Sequence, residues 1–94
     1  RLTHMDFRMN RISDIHCVSF RKLFKTNKTL THLDLSWNQD ITDKGWREIL
    51  AGLDKNYFMQ QLFLSKTKVN ENLQTVLNDT LERNRNVTVV ETDV

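Results

Sequence analysis

Apolar residues recur along the chain in a short frame that appears three times. The frame is L-x-x-L-x-L-x-x-N, and its best copy runs from Leu30 to Asn38. An earlier copy begins at Leu2 and a later one at Met59, so the spacings are 28 and 29 residues. Self-similarity at a fixed period of this size is the signature of a repeat protein. The sequence therefore predicts stacked copies of one structural unit.

The one-residue difference between the two spacings lies in a single turn. In each copy 18 residues separate the apolar residue after the frame (Ile12, Ile41 or Val69) from the start of the next frame. The extra residue of the second copy therefore lies just before Ile41. Because the phase recovers at once, the copies are true repeats and not a chance similarity.

Each copy predicts a strand followed by a helix. Alternating apolar and polar residues within the frame predict strands at about 4–8, 32–36 and 61–65, with a fourth at about 88–92. After each of the first three strands, a capping residue and an acid precede apolar pairs four residues apart, which predicts helices at about 14–26, 43–55 and 71–83. The predicted caps are Ser13, Thr42 and Asn70.

An asparagine follows each predicted helix, three residues before the next frame. Asn27, Asn56 and Asn84 occupy this position. Asparagine tolerates the left-handed backbone conformation that often ends a helix. We therefore expect each of them to end its helix in that conformation.

The frame from Leu30 to Gly45, L-x-x-L-x-L-x-x-N-x-x-I-T-D-x-G, resembles leucine-rich repeats of the ribonuclease-inhibitor-like class. NOD-like receptors, tropomodulin and the Ran GTPase-activating protein contain such repeats. The resemblance implies an α/β solenoid of about three strand-plus-helix repeats and a fourth strand, with a parallel sheet on the concave face and helices on the convex face. It implies one module over 1–94, with repeats at about 2–29, 30–58 and 59–86 and a final strand at 87–94.

The asparagines that end the first two frames, Asn10 and Asn38, are predicted to be structural. In this frame the apolar positions point inward, and the asparagine side chain bonds the backbone of adjacent turns. In the third frame Thr67 replaces the asparagine. A hydroxyl donates one hydrogen bond where an amide donates two, so we expect a looser third turn.

Strand positions between the apolar ones face outward and form columns across the concave sheet. Aromatic anchors among charged residues suit protein binding, with Trp37 and Phe63 as the main candidates. An alternative for Trp37 is that it covers the edge of the following loop. The predicted partner-binding residues are His4, Asp6, Arg8, His32, Asp34, Trp37, Gln61, Phe63, Lys66 and Glu91.

Two imidazoles and two carboxylates, from His4, Asp6, His32 and Asp34, are predicted to lie together on neighbouring strands. Such groups can bind zinc. The same quartet also follows from the stacking of two similar repeats, in which imidazole and carboxylate satisfy each other. It lacks a nearby nucleophile and an enclosed pocket. We therefore predict no metal, no cofactor and no catalytic residue.

Composition narrows the setting further. The longest apolar runs span only a few residues, far short of the roughly 18 needed for a membrane span. One cysteine, Cys17, favours a reducing, cytoplasmic location, although Asn-x-Thr patterns at Asn27, Asn78 and Asn86 also occur in secreted chains. Residues 1–29 carry seven basic side chains against two acidic ones. Without interleaved aromatics we expect no nucleic-acid binding from this region.

The sequence as a whole predicts a non-enzymatic scaffold that binds a protein partner on the concave face or through its open N-terminal end. Alternatives are a subunit of a cytoskeletal assembly, or the regulatory arm of a GTPase-activating or nucleotide-sensing protein. The chain opens on Arg1 without an initiator Met or a leader. We therefore expect a piece of a longer polypeptide, with further repeats or a partner chain at the N-terminal end, because an uncovered end repeat exposes its core.

Overall fold

Strands and helices alternate along the chain as the repeat predicts. The computed structural model describes residues 2–93, with side chains from residue 2 to residue 85. The three strands in this range pair in parallel in the order β1-β2-β3, and α1 packs against α2 and α2 against α3. The predicted α/β solenoid is confirmed. The elements are β1 (His4–Asp6), α1 (Asp14–Thr26), β2 (His32–Asp34), α2 (Asp43–Asp54), β3 (Gln61–Phe63) and α3 (Glu71–Asp93).

Hydrogen bonds between repeats continue beyond the short strands. The N–H groups of Phe7 and Met9 donate to the carbonyls of Asp34 and Ser36 at 2.9 and 3.1 Å. In the next repeat, the N–H groups of residues 35 and 37 donate to carbonyls of residues 63 and 65, both at 2.9 Å. The strands are three residues long instead of the five predicted, but the parallel register extends to the turn that follows each strand.

The middle repeat contains the most completely buried part of the core. Its three inward frame residues, Leu30, Leu33 and Leu35, are at most 1% exposed. The corresponding Met5 and Phe7 of the first repeat are only partly buried, and Leu2 is 59% exposed. Each repeat of a solenoid is covered by its neighbours, so a repeat with two neighbours buries more than one with a single neighbour.

Asn38 joins the first turn to the second from a fully buried position. Its side-chain oxygen accepts hydrogen bonds from the N–H groups of Asn10 at 3.0 Å and Ile12 at 2.8 Å. Its amide nitrogen donates to the carbonyls of Phe7 at 2.8 Å and Leu35 at 3.0 Å. A buried backbone group without a partner is costly, and here one side chain satisfies four of them.

The three helices begin with three different capping arrangements. In α1 the backbone N–H of Ser13 donates to Nδ1 of His16 at 3.0 Å. In α3 the carboxamide oxygen of Asn70 accepts from the N–H of Leu73 at 2.8 Å, as an N-cap residue does.

The start of α2 depends on a residue of the preceding repeat. Thr42 makes no side-chain cap to its own helix. Instead, the Asp14 carboxylate at the start of α1 accepts from the N–H of Thr42 at 2.8 Å and from its hydroxyl. These hydrogen bonds lower the pKa of Asp14 below its usual value, because they favour the ionised carboxylate. The cap therefore also links two repeats.

The asparagines after the helices form a second ladder, and the prediction that they adopt the left-handed conformation is wrong. Asn27 has an extended backbone, with φ −79° and ψ 129°. Its side-chain oxygen accepts from the N–H groups of residues 29 and 30, and Asn56 does the same for residues 58 and 59. The Asn56 amide also donates to the Phe24 carbonyl at 2.9 Å, and the Asn84 amide donates to the Met59 carbonyl at 2.7 Å. These side chains close the turns and tie each repeat to the one before it.

The predicted fourth strand at 88–92 is wrong, because α3 continues through this segment to Asp93. After α1 and α2, the side-chain oxygens of Asn27 and Asn56 accept hydrogen bonds from the backbone N–H groups that lead into the next strand. At Asn84 the same oxygen accepts from the Arg83 guanidinium, at 2.8 Å from Nη2. Arg83 also donates to the carbonyls of Leu53 and Asn56 at the end of α2. Val94 lies outside the described residues.

Aromatic rings cover much of the core at the β1 end of the solenoid. Phe7 and Phe20 pack edge to face with ring centroids 5.5 Å apart, and Phe20 lies 6.3 Å from Phe24. Phe20 is 7% exposed and Phe24 is 1% exposed. Both helical phenylalanines therefore belong to the buried core, and the ring of Phe7 on the first repeat covers part of Phe20. The outer edge of β1 remains the end of the described sheet.

Replacing Leu33 with alanine should destabilise the fold strongly. Leu33 is completely buried, and removing a buried leucine side chain costs about 2–5 kcal/mol of unfolding free energy. The neighbouring Asp34→Asn change should cost less than about 1 kcal/mol, because this side chain points outward and asparagine keeps the oxygen that accepts from Ser36. Urea denaturation measures both values. Equal losses would contradict the inward and outward assignment.

Replacing Asn38 with alanine should cost roughly 2–4 kcal/mol, because it leaves buried backbone groups of Asn10 and Ile12 without an acceptor. Asn10→Ala provides a matched control at the same frame position. The Asn10 side chain is exposed, and among the described residues it donates to the Arg8 carbonyl alone, so its loss should cost less than about 1.5 kcal/mol. Denaturation curves that show a smaller loss for Asn38→Ala than for Asn10→Ala would be inconsistent with the ladder.

Candidate functional site

The concave face is built from outward positions that the parallel register brings side by side. His4, His32 and Gln61 are aligned across the three strands. Two residues further along, Asp6, Asp34 and Phe63 are aligned in the same way. These two sets form adjacent rows of one surface, which we call the first row (His4, His32 and Gln61) and the second row (Asp6, Asp34 and Phe63). Side chains within a row are neighbours because adjacent strands lie about 4.8 Å apart.

The two histidines of the first row stack on each other. Their ring centroids are 4.1 Å apart and the ring planes differ by 9°. Each Nδ1 is hydrogen-bonded to the preceding threonine hydroxyl, Thr3 for His4 at 2.9 Å and Thr31 for His32 at 2.8 Å. Burial and the nearby His4 lower the pKa of His32 below its usual value. A charge on His32 is therefore disfavoured at this position.

The second row contains two carboxylates that share one guanidinium. Arg8 bonds Asp6 closely, with Nη2 2.9 Å from Oδ2 and Nε 3.1 Å from each carboxylate oxygen. Its Nε is 3.7 Å from Oδ2 of Asp34. The hydrogen bonds from Arg8 lower the pKa of Asp6 and raise that of Arg8. Asp34 is held differently, because its Oδ1 accepts from the N–H of Ser36 at 2.9 Å.

The residue directly after the outward strand positions has an unusual backbone conformation in every repeat. Met9, Trp37 and Lys66 all have positive φ angles, between 56° and 67°. Such angles are uncommon outside glycine, and they turn the chain away from the sheet. Met9 is 70% exposed and Trp37 51% exposed at the rim of the concave face. Half of the Trp37 surface is therefore available to a partner.

Two recesses adjoin on this face and share Asp6. The first, which we call the sheet groove, is lined by side chains of all three strands. The second lies between Asp6, Arg8, Met9 and Trp37. Apolar atoms make up most of the surface of the sheet groove. Its lining residues are His4, Met5, Asp6, His32, Leu33, Asp34 and Phe63.

The structure brings together most of the residues predicted for this surface. Five of them line the sheet groove: His4, Asp6, His32, Asp34 and Phe63. Arg8 forms ion pairs with the two carboxylates of this groove, and Trp37 lines the second recess. Gln61 and Lys66 are exposed on the third repeat but line neither recess. The side chain of Glu91 lies outside the described residues, and its backbone belongs to α3 instead of a strand.

Two further residues were not predicted as part of the site. Met9 lies at the rim beside Trp37. The two residues occupy the same position of the repeat, and this correspondence could have predicted Met9 as part of the site. Met5 was assigned to the core, yet it is only partly buried and reaches the sheet groove. Only the position of β1 at the end of the described sheet leaves Met5 partly open, and sequence periodicity does not report that.

No group of three or more histidine, cysteine, aspartate or glutamate side chains among the described residues is arranged to hold a metal ion. Cys17 is fully buried in the helical layer, and desolvation raises the pKa of its thiol to about 12. A neutral, buried thiol is a poor nucleophile. Within residues 2–93 no helix is long and apolar enough to cross a membrane.

Comparison with known proteins finds a similarity to a repeat family over part of the chain. Residues 26–50 match a family model described as a leucine rich repeat. The structure is similar to the C-terminal domain of tropomodulin from Caenorhabditis elegans, with a TM-score of 0.47 and 10% identity over 97% of this chain and 89% of that chain. The sequence matches no curated protein. The matched segment contains β2 and most of α2, the same residues that carry the best copy of the repeat frame.

The stability of the fold should decrease as the pH falls below the ordinary histidine pKa. The folded state holds the His32 proton more weakly than the unfolded chain, in which a histidine has a pKa of about 6.5. The contribution of His32 is therefore fully present above about pH 6.5 and is lost progressively below it. Urea denaturation between about pH 5 and 7 measures this slope.

His32→Gln should flatten that slope, because glutamine does not titrate. In the His4→Gln variant the pKa of His32, followed by NMR, should rise toward its ordinary value because the repulsive neighbour is gone. A pKa of His32 above 6.5 in the unsubstituted protein would contradict the expected sign.

Proposed function

We propose that this chain, a leucine-rich-repeat protein built from repeated strand-plus-helix units, is a binding module that holds a protein partner on its concave face. The observation that carries the proposal is the contiguous outward surface of the sheet groove and the adjoining Trp37 rim. Trp37 and Phe63 are 51% and 43% exposed on this surface, and aromatic side chains dominate the energetics of protein interfaces.

A binding role without catalysis agrees with the chemistry of this surface. The carboxylates are paired with Arg8 or with backbone N–H groups, and they face open solvent instead of a closed cavity. Catalytic groups need a positioned reactive partner and exclusion of water. The buried, neutral Cys17 is consistent with a reducing location, and we propose that the protein acts in the cytoplasm.

A second contact surface is proposed at the outer edge of β1. This edge has strand N–H and C=O groups that no other described strand pairs, and Leu2 beside it is 59% exposed. Unpaired strand edges are sites of further pairing. Additional repeats or a partner chain would cover it.

Removing either concave aromatic should weaken partner binding. Trp37→Asn removes the indole while keeping a residue that tolerates positive φ, and Phe63→Ala removes the other ring. We expect each change to weaken binding by more than about tenfold, as for interface anchors. Proteins captured by the unsubstituted chain are identified by quantitative mass spectrometry, and the affinity of each purified partner is then measured for every variant.

Val76→Ala is the matched control, because Val76 is 44% exposed on α3, away from the sheet. This variant should keep full affinity, and thermal melting should show that all the variants are folded. Partners that lose affinity to Val76→Ala but not to the concave variants would place binding on the helical face and overturn the proposal.

A further inference from the structure

The sheet groove combines an apolar lining with carboxylates, and this combination restricts what can occupy it. Met5, which is partly buried, and the exposed ring of Phe63 contribute apolar surface. Asp6 and Asp34 contribute two negative charges from adjacent strands. Long cationic side chains have the complementary structure, since an aliphatic stem covers apolar surface while the charged head stays at a polar site.

The charges at the groove do not balance within the chain. Arg8 is the cation in contact with these carboxylates, and its close bonds go to Asp6. Asp34 is only approached, at 3.7 Å, and its side chain is 25% exposed. One positive charge therefore serves two negative ones, and Oδ2 of Asp34 has no cationic atom closer than 3.7 Å in the described part of the chain.

Phe63 adds a second feature that favours a cation. It is the register neighbour of Asp34 on β3, and 43% of its surface is exposed. A cation near an aromatic face is attracted by the negative face of the ring. The carboxylate of Asp34 and the ring of Phe63 thus favour the same charge from neighbouring positions.

We propose that the sheet groove binds a lysine or arginine side chain of the protein partner, with its charged head at Asp34 and its aliphatic stem against Met5 and Phe63. The proposal rests on the proposed function and specifies the chemistry of the partner at that surface. An acidic side chain would be repelled by the two carboxylates. A purely apolar one would cover Asp34 without replacing its water, which is unfavourable for a charged group.

The carboxylates of the second row already bind one guanidinium, that of Arg8. Its fork contacts Asp6 through two nitrogens, a geometry that arginine and carboxylate favour. By occupying Asp6 and approaching Asp34, Arg8 competes with a basic side chain from outside. Arg8 is therefore expected to weaken the binding of a basic partner.

Selection from a displayed library of random linear peptides tests the proposal directly. The immobilised chain is used at neutral pH, and selected peptides are then measured against variants by fluorescence anisotropy. We expect the selected peptides to share one lysine or arginine. Replacing that residue by glutamine in the peptide, or Asp34 by asparagine in the protein, should lower affinity about tenfold or more. Asp79→Asn, an exposed acid on α3, is the matched control and should change nothing.

The outcomes separate this inference from the proposed function. Peptides that lose affinity to Phe63→Ala but carry no shared basic residue, or that bind Asp34→Asn normally, would overturn the cationic occupant and leave concave-face binding intact. A selection without any peptide sensitive to Phe63→Ala would overturn both proposals. Because the glutamine change is made in the peptide, the test does not depend on the folding of a protein variant.

Arg8→Gln provides a second test with the opposite sign. Removing the internal guanidinium frees Asp6 and leaves both carboxylates to the partner. The selected basic peptides should therefore bind this variant several-fold more tightly than the unsubstituted chain. Unchanged or weaker binding would contradict the competition and the placement of the cation in the second row.

Discussion

The turn that follows each strand is the constraint on which the rest of this structure depends. The chain must leave the sheet and reach the helical layer within a few residues, and it does so through a residue with positive φ. That turn exposes backbone N–H and C=O groups to the core, where water is absent. In the second repeat the Asn38 side chain satisfies four of these groups from both turns, so that the core of Leu33 and Leu35 can close above it. In the third repeat the Thr67 hydroxyl donates to the Leu64 carbonyl, which belongs to its own turn.

Side-chain amides also satisfy backbone groups at the helix end of the repeats. Asn56 binds the backbone of its own turn and the end of α1, so the amide ladder at the helix ends complements the one at the strand ends. Close approach of the helices supports this arrangement, because a Cβ on Gly52 would lie 2.8 Å from the Cα of Arg21. Side-chain amides at both ends and a glycine between them therefore set the distance from one repeat to the next.

Features that repeat in sequence were predicted well, and features that depend on contacts between repeats were not. Helix α1 was predicted at 14–26 and spans Asp14–Thr26, since its apolar spacing and first acid lie in local sequence. That Asp14 caps the following helix could not be read from its own repeat, because the acceptor and the donor are 28 residues apart. The strand at 88–92 was predicted from the alternating frame and its period, but in the structure the helix continues past Asn84. The columns of the concave face were predictable because the aligned repeat frames fix the register, whereas the pairing of Arg8 with Asp6 depends on rotamers.

The position of the candidate site across all three strands has a consequence for stability. In a solenoid each repeat interacts only with its neighbours, so the stability of the array is approximately a sum of the repeats and of the interfaces between them. A partner side chain in the sheet groove would contact Met5 on β1, Asp34 on β2 and Phe63 on β3. Because it binds only when these strands are in register, its binding energy adds to the interfaces between repeats instead of to one repeat alone. The least buried repeat, the first, would gain the most, since Met5 and Phe7 are only partly covered by the chain itself.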